Sequence, residues 1–277
     1  MGRIKSYIAR GIRYMLHGQP VNVVTASVYT LAPDQTLAGK KILVTGGGRG
    51  LGKAMAKKFI AEGAEVIITG RDEQTLADTA SELGCRYITC DLTDINAVTS
   101  LIEKATSMLN GLNVLVNNAG VSLHEWELDK VTVEGYDQQF DTNLRAPYFL
   151  TQTFINGLTK RQDKGSILFV SSERSQTADI IPYGLTKAAL NSFVHGLAKK
   201  YARAGIRINA VAPGVTASDM TGIDEKSNLY FPSNTNDRAY LPQEVAGVAS
   251  FLISDASACL SGQILVCNEA KTVNAYF

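Results

Sequence analysis

From Lys41 onward the chain alternates short β-branched runs with longer stretches of helical periodicity, and this alternation restricts the fold more than any other feature. The strand candidates are Ile42–Thr45, Glu65–Thr69, Arg86–Thr89, Asn113–Val116, Ser166–Ser171, Arg207–Val211 and Gln263–Val266. Helix candidates fall between them at Leu51–Glu62, Glu73–Glu82, Ile95–Met108, Gly135–Leu158, Tyr183–Arg203 and Pro242–Ile253. Several strand candidates are apolar nearly throughout, as strands covered on both faces must be. The βαβα order predicts an α/β fold, a doubly wound parallel sheet of about seven strands with helices on both faces. Such sheets bind ligands beyond the carboxyl ends of their strands, so the chemistry is expected there.

Composition narrows the function classes. Forty-five per cent of the 277 residues are hydrophobic, enough for a sizeable core. A net charge of +1 gives no field that would draw nucleic acid. Cys85, Cys90, Cys259 and Cys267 have neither metal nor redox spacing and read as buried thiols of a reducing compartment. There is no apolar run long enough for a membrane span, and the N-terminus lacks the pattern of a signal peptide. A cytoplasmic protein is expected.

Two stretches lie outside the alternation. Residues 1–39 read as an arm before a catalytic domain over 40–277. Within the arm, Ile4, Ile8, Ile12 and Met15 recur at helical spacing among Arg3, Lys5, Arg10 and Arg13. A basic amphipathic helix over 3–16 can lie on a membrane surface. Its shortness and Gly11 favour packing on its own domain or on a sister subunit instead. Val21–Leu31 reads as an extended segment. Residues 218–240 form a long polar insertion carrying Met220, Leu229, Tyr230 and Phe231, which reads as a substrate lid.

The first strand runs into Thr45-Gly46-Gly47-Gly48-Arg49-Gly50-Leu51-Gly52 and then a helix. Such a glycine loop lets a pyrophosphate approach backbone N–H groups at the helix start. The spacing, G-x-x-x-G-x-G, differs from G-x-G-x-x-G, but its place between strand and helix is the same. At the end of the second strand an NAD site places a carboxylate on the ribose 2′-hydroxyl, whereas an arginine accommodates a 2′-phosphate. Here Gly70-Arg71 stands at that tip, and Arg49 adds a second cation. These residues predict NADP(H).

Tyr183 and Lys187, four residues apart at the start of a helix, share one face. A cation beside a phenol favours the phenolate and equips it for proton transfer.

With Asp91, Asn117-Asn118-Ala119-Gly120, Asn143, Ser171-Ser172 and Pro213-Gly214 added in this order, the chain resembles the short-chain dehydrogenase/reductase family in its classical, single-domain branch, over roughly residues 40–270. The resemblance implies a Tyr183 that exchanges the substrate proton, a Lys187 that tunes it and holds the nicotinamide ribose, and an Asn143 that keeps a relay water. Asn143 also reads as a helix-kink residue that satisfies backbone groups, and the two readings are compatible. It implies further that Asp91, with Leu92, meets the adenine. Asn118, Ala119 and Gly120 would line the cofactor, and Pro213, Gly214, Val215 and Thr216 would hold the nicotinamide carboxamide. A homodimer or homotetramer is implied as well.

The chain departs from the family's pattern in two places. Ser171 and Ser172 both stand near the position of the serine that polarises the carbonyl. Strand-end alignment favours Ser172, eleven residues before Tyr183, and shortens the segment between them. Within that segment Arg174 reads either as an anion clamp or as the partner of Glu173. After the last strand the family commonly has glycines, where this chain has Asn268-Glu269-Ala270.

His17, His124 and His195 have no metal spacing, and no metal is expected. His124 and Trp126 read as rim residues of the substrate mouth. The function expected is an NADPH-dependent oxidoreductase acting on a small carbonyl or secondary alcohol. The alternatives are a non-enzymatic NADP-binding sensor or scaffold, and a sugar-nucleotide-modifying relative.

Overall fold

The computed structural model describes residues 35–273 together with Thr25, so the amphipathic helix expected over 3–16 lies outside the described residues. The strands are β1 (Lys41–Thr45), β2 (Glu65–Gly70), β3 (Arg86–Thr89), β4 (Val114–Asn117), β5 (Gly165–Val170), β6 (Ile206–Pro213) and β7 (Ile264–Cys267). They form one parallel sheet in the order β3-β2-β1-β4-β5-β6-β7. The strand order reverses between β1 and β4, which opens a crevice at their carboxyl ends.

The helices are α1 (Gly50–Ala61), α2 (Glu73–Leu83), α3 (Ile95–Met108), α4 (Val133–Phe140), α5 (Ala146–Arg161), α6 (Pro182–Tyr201) and α7 (Pro242–Ile253). Side chains alternate along each strand between two buried layers. Leu43, Ile67, Leu115, Ile167, Phe169 and Ile208 pack under α3, α5 and α6. Ile42, Val44, Ile68, Val116, Leu168 and Val211 pack under α1 and α7. Of the four cysteines expected to be buried, only Cys90 is fully so, and Cys259 is exposed. Among the described residues no helix is long and apolar enough to cross a membrane.

Local sequence sets the helix ends. Asp72 caps α2 by accepting from the Thr75 N–H at 2.7 Å, and Gly84, at φ 66°, ends it. The single helix expected over Gly135–Leu158 is divided. α4 and α5 are joined by a π turn, Asp141–Arg145. Pro147 explains the division, since it lacks the N–H that would close an α-helical bond to the Asn143 carbonyl.

The 218–240 excursion has a small core of its own. Leu229 and Ala239 are buried with Ala217 and Leu241, and Ile223 and Phe231 pack against them. Met220 and Tyr230 remain exposed. The returning end is bonded to the chain that leaves β6: Tyr240 N–H donates to Val215 O at 2.9 Å, and Ala217 N–H to Tyr240 O at 2.8 Å.

Candidate active site

At the carboxyl end of β1 the glycine loop is held by side chains from the β4 end. The Thr45 hydroxyl donates to Val116 O at 3.2 Å and accepts from the N–H groups of Asn118 and Ala119 at 2.9 and 3.0 Å. The Asn118 amide donates to the carbonyls of Thr45 and Gly46 at 2.8 and 3.1 Å. Gly52 lets α1 press on this loop, since a Cβ there would lie 2.1 Å from Gly46 O. Gly46 and Gly50 take left-handed φ values of 62° and 51°. The Arg49 side chain does not cap α1, so the N–H groups of its first turn are available to a phosphate. This cradle fits a dinucleotide.

At the tip of β2 a side chain at Gly70 would meet only Leu76, at 3.7 Å or more. The neighbouring Arg71 is exposed. Asp72 is committed to capping α2, and the Thr75 backbone bond holds its carboxyl below the usual range. Arg49 lies 3.4 Å from Asp219 at the start of the excursion, both exposed. At the tip of β3, Asp91 accepts from the Thr93 N–H and hydroxyl at 3.0 and 2.8 Å, and Leu92 is buried.

The two serines at the end of β5 diverge. The Ser171 hydroxyl points into α6 and donates to Asn191 Oδ1 at 2.7 Å. Ser172 caps the short turn Glu173–Gln176, and its hydroxyl accepts from the Arg174 N–H at 3.3 Å and lies near enough to the Tyr183 phenol to favour its ionised form. Tyr183 and Lys187 occupy the first turns of α6, with Nζ 5.6 Å from the phenol ring centroid. Lys187 is buried and donates to Val170 O at 2.8 Å.

Burial pulls the Lys187 ammonium down to about 8. It also pushes the Tyr183 phenol up, opposed by the nearby Ser172 hydroxyl and Arg174 and reinforced by Glu173. The expectation that the lysine charge lowers the phenol's pKa is therefore not met in the protein alone. Desolvation acts on both groups, and it is the larger effect.

Asn143 is also buried and bonds both backbone groups of Val121, each at 2.8 Å. A Cβ at Gly120 would sit 3.2 Å from Asn143 Oδ1 and 3.5 Å from Lys187 Nζ, so all three meet at one point. At the end of β6, Gly214 N–H donates to Cys267 O at 2.9 Å, and the Thr216 hydroxyl to Gly214 O at 2.9 Å.

The arginine of the shortened segment is paired neither with Glu173 nor with open space. Arg174 grips Asp179 with two bonds of 2.6 and 2.7 Å. Burial opposes ionisation of Asp179, but Arg174 and the Ile181 N–H hold its carboxyl below the usual range. Gly184 makes room for this carboxylate, because a Cβ there would fall 1.9 Å from Asp179 Oδ2. Arg174 also lies 5.7 Å from the centre of the Trp126 ring. Trp126 and His124 are exposed, and His195 faces solvent on α6. No cluster of metal-ligating residues occurs among the described residues.

Two partners were not anticipated. Asp179 sits five residues from Arg174, off any helical repeat, so spacing gave no signal. Glu173 is bonded to Lys271, ninety-eight residues away.

The family described as short chain dehydrogenase matches residues 40–228. Over 248 residues the chain is 33% identical to the 3-oxoacyl-[acyl-carrier-protein] reductase FabG of Chlamydia pneumoniae, covering 86% of this chain and 99% of that one. It is 27% identical to the L-rhamnose 1-dehydrogenase (NADP(+)) of Thermoplasma acidophilum, covering 85% and 97%. The fold superposes with a TM-score of 0.79 on the 3-ketoacyl-(acyl-carrier-protein) reductase of Brucella melitensis complexed with NADH, at 27% identity, covering 86% and 100%.

Proposed function

We propose that this chain, which belongs to the short-chain dehydrogenase/reductase family, is an NADPH-dependent reductase of a small carbonyl compound, or in reverse an NADP+-dependent dehydrogenase of the corresponding secondary alcohol. The observation that carries this reading is the meeting of the Ser172 hydroxyl, the Tyr183 phenol and the buried Lys187 at the carboxyl end of β5.

NADP(H), when bound, exchanges hydride with the substrate carbon. The glycine loop and the first turn of α1 hold its pyrophosphate. Arg71 and Arg49 take the 2′-phosphate, and Asp91 with Leu92 meets the adenine. Asn118, Ala119, Gly120 and the Pro213–Thr216 turn enclose the nicotinamide end. Ser172 orients the carbonyl oxygen, and Tyr183 gives that oxygen its proton. Lys187 steadies the charge that remains on the phenol, and Asn143 supports the path by which the proton is replaced.

A relative complexed with NADH indicates that the fold alone does not choose the cofactor. The choice rests here on the absence of a carboxylate at Gly70 and on Asp72 being used as a cap. NADPH is expected to bind at least about tenfold more tightly than NADH, the worth of one charge-assisted contact. Gly70→Asp adds a side chain that the backbone tolerates, and it is expected to reverse that order by repelling the 2′-phosphate. Titration of both cofactors by nicotinamide fluorescence measures this, and equal dissociation constants in the natural protein would overturn it. Oxidation of NADPH across ketones, 3-oxoacyl thioesters and sugars tests the activity itself. No turnover on any class would return the chain to a binding role.

A further inference from the structure

The tail after β7 is held in an unusual way. Glu269 and Ala270 take left-handed φ values of 50° and 65°, conformations that cost a non-glycine residue energy unless the surroundings impose them. Glu269, Ala270 and Lys271 are themselves exposed, but the tail is tied to polar groups that are buried. Asn268, 2% exposed, donates to Glu173 Oε2 at 3.1 Å. Lys271 Nζ donates to Glu173 Oε1 at 2.8 Å and to Asn234 Oδ1 at 3.2 Å. Asn234, 3% exposed, in turn donates to the carbonyls of Arg238 and Val215 at 2.7 and 3.5 Å. Glu173 is the residue after Ser172 and is itself buried. One lysine thus joins the serine turn, the 218–240 excursion and the tail.

We propose that Lys271 and Glu173 are positioning residues that latch the tail and the 218–240 excursion onto the Ser172 turn. The reacting end of the sheet is then assembled only while this ion pair is made. Loss of Lys271 removes the tie between the excursion, the tail and the turn, and separately leaves the Glu173 carboxylate buried beside Ser172 without its cation.

The latch also bears on proton transfer. The groups facing Glu173 are Lys271 and Asn268 from the tail, Tyr240 from the end of the excursion, and Arg174 and Tyr183 beside its own turn. Arg238, Glu244 and Glu269 lie beyond Tyr240. Glu173 pushes the Tyr183 phenol up, and Lys271 neutralises Glu173. Without the lysine the uncompensated carboxylate raises the phenol further. In the oxidative direction, where the phenolate is the working form, the rising limb of kcat then moves to higher pH.

The test compares Lys271→Met, Glu173→Gln and the pair of changes together. Lys271→Met is expected to lower kcat/KM roughly tenfold or more and to move the rising limb to higher pH, by about half a pH unit or more. Trypsin is expected to cut after Lys226 and Arg238 several-fold faster. Adding Glu173→Gln removes the stranded charge, and it is expected to bring the limb back while cleavage stays fast. A limb that stays displaced in the double variant, or cleavage unchanged in Lys271→Met, overturns the latch. Should Lys271→Met not fold, Glu173→Gln alone breaks the ion pair without stranding a carboxylate: faster cleavage is expected, and unchanged cleavage overturns the latch. Tyr183→Phe run alongside separates the two readings. Full turnover there refutes the acid–base assignment, while the latch is still decided by the cleavage rates.

Discussion

Tyr183→Phe is expected to lower turnover by about 10²-fold or more while NADPH affinity changes by no more than roughly threefold, as removal of a positioned general acid does. The substitution keeps the ring, which packs at the head of α6 beside Lys187, and removes only the phenol oxygen. Ser172→Ala is expected to follow the same pattern, with most of its loss in kcat, because that hydroxyl addresses oxygen charge that develops during the reaction. Ser171→Ala serves as the contrast. Its hydroxyl is committed to Asn191 inside the fold, so it is expected to cost stability and spare turnover. Steady-state rates and cofactor titrations on the three variants decide the matter. A Tyr183→Phe protein that keeps most of its turnover would show that another group supplies the proton.

The sequence revealed what is local or periodic. Seven short β-branched runs gave seven parallel strands because each carries its own signal, strongest in the central strands that are covered on both faces. The glycine loop and the Tyr183–Lys187 pair were legible for the same reason, since strand-turn-helix order and helical spacing are short-range properties. Boundaries were less so. The break at Asn143 lies in a stretch of unbroken helical pattern, and Pro147, which explains it, also suits the first turn of a new helix.

The electrostatics were not legible at all. A cation near a phenol predicts a lowered pKa, but burial is a property of the packed protein, and here it dominates both groups. The partners of the two charges after Ser172 were hidden for the same reason. Arg174 finds Asp179 through an irregular loop, and Glu173 finds Lys271 across the sheet. The excursion over 218–240 reads as polar and open in the sequence. The four apolar residues that stand out in it nevertheless separate into the buried Leu229, the half-buried Phe231 and the exposed Met220 and Tyr230.

Lys187→Met is expected to abolish most turnover and, in the protein without cofactor, to change stability in a way that depends on pH. The lysine has its ordinary pKa of 10.5 when unfolded and about 8 in the fold, because burial disfavours the ammonium. Between those values the unfolded chain binds more protons, so the stability of the natural protein rises with pH through that window. Below it both states are protonated and the full cost of the buried charge is present. Methionine carries no such cost at any pH. Relative to the natural protein, the variant is therefore expected to lose about 3 kcal/mol of advantage between about pH 8 and 10.5, since a tenfold change in proton affinity is worth about 1.4 kcal/mol. The lost bond to Val170 O offsets the curve by a constant and does not alter its slope. Urea unfolding of both proteins at several pH values measures the difference. A pH-independent offset would mean that the ammonium is well solvated in the fold. A fall of the expected size would mean that the site keeps a strained charge ready for a phosphate-bearing cofactor and a phenolate, the two partners whose arrival makes it favourable.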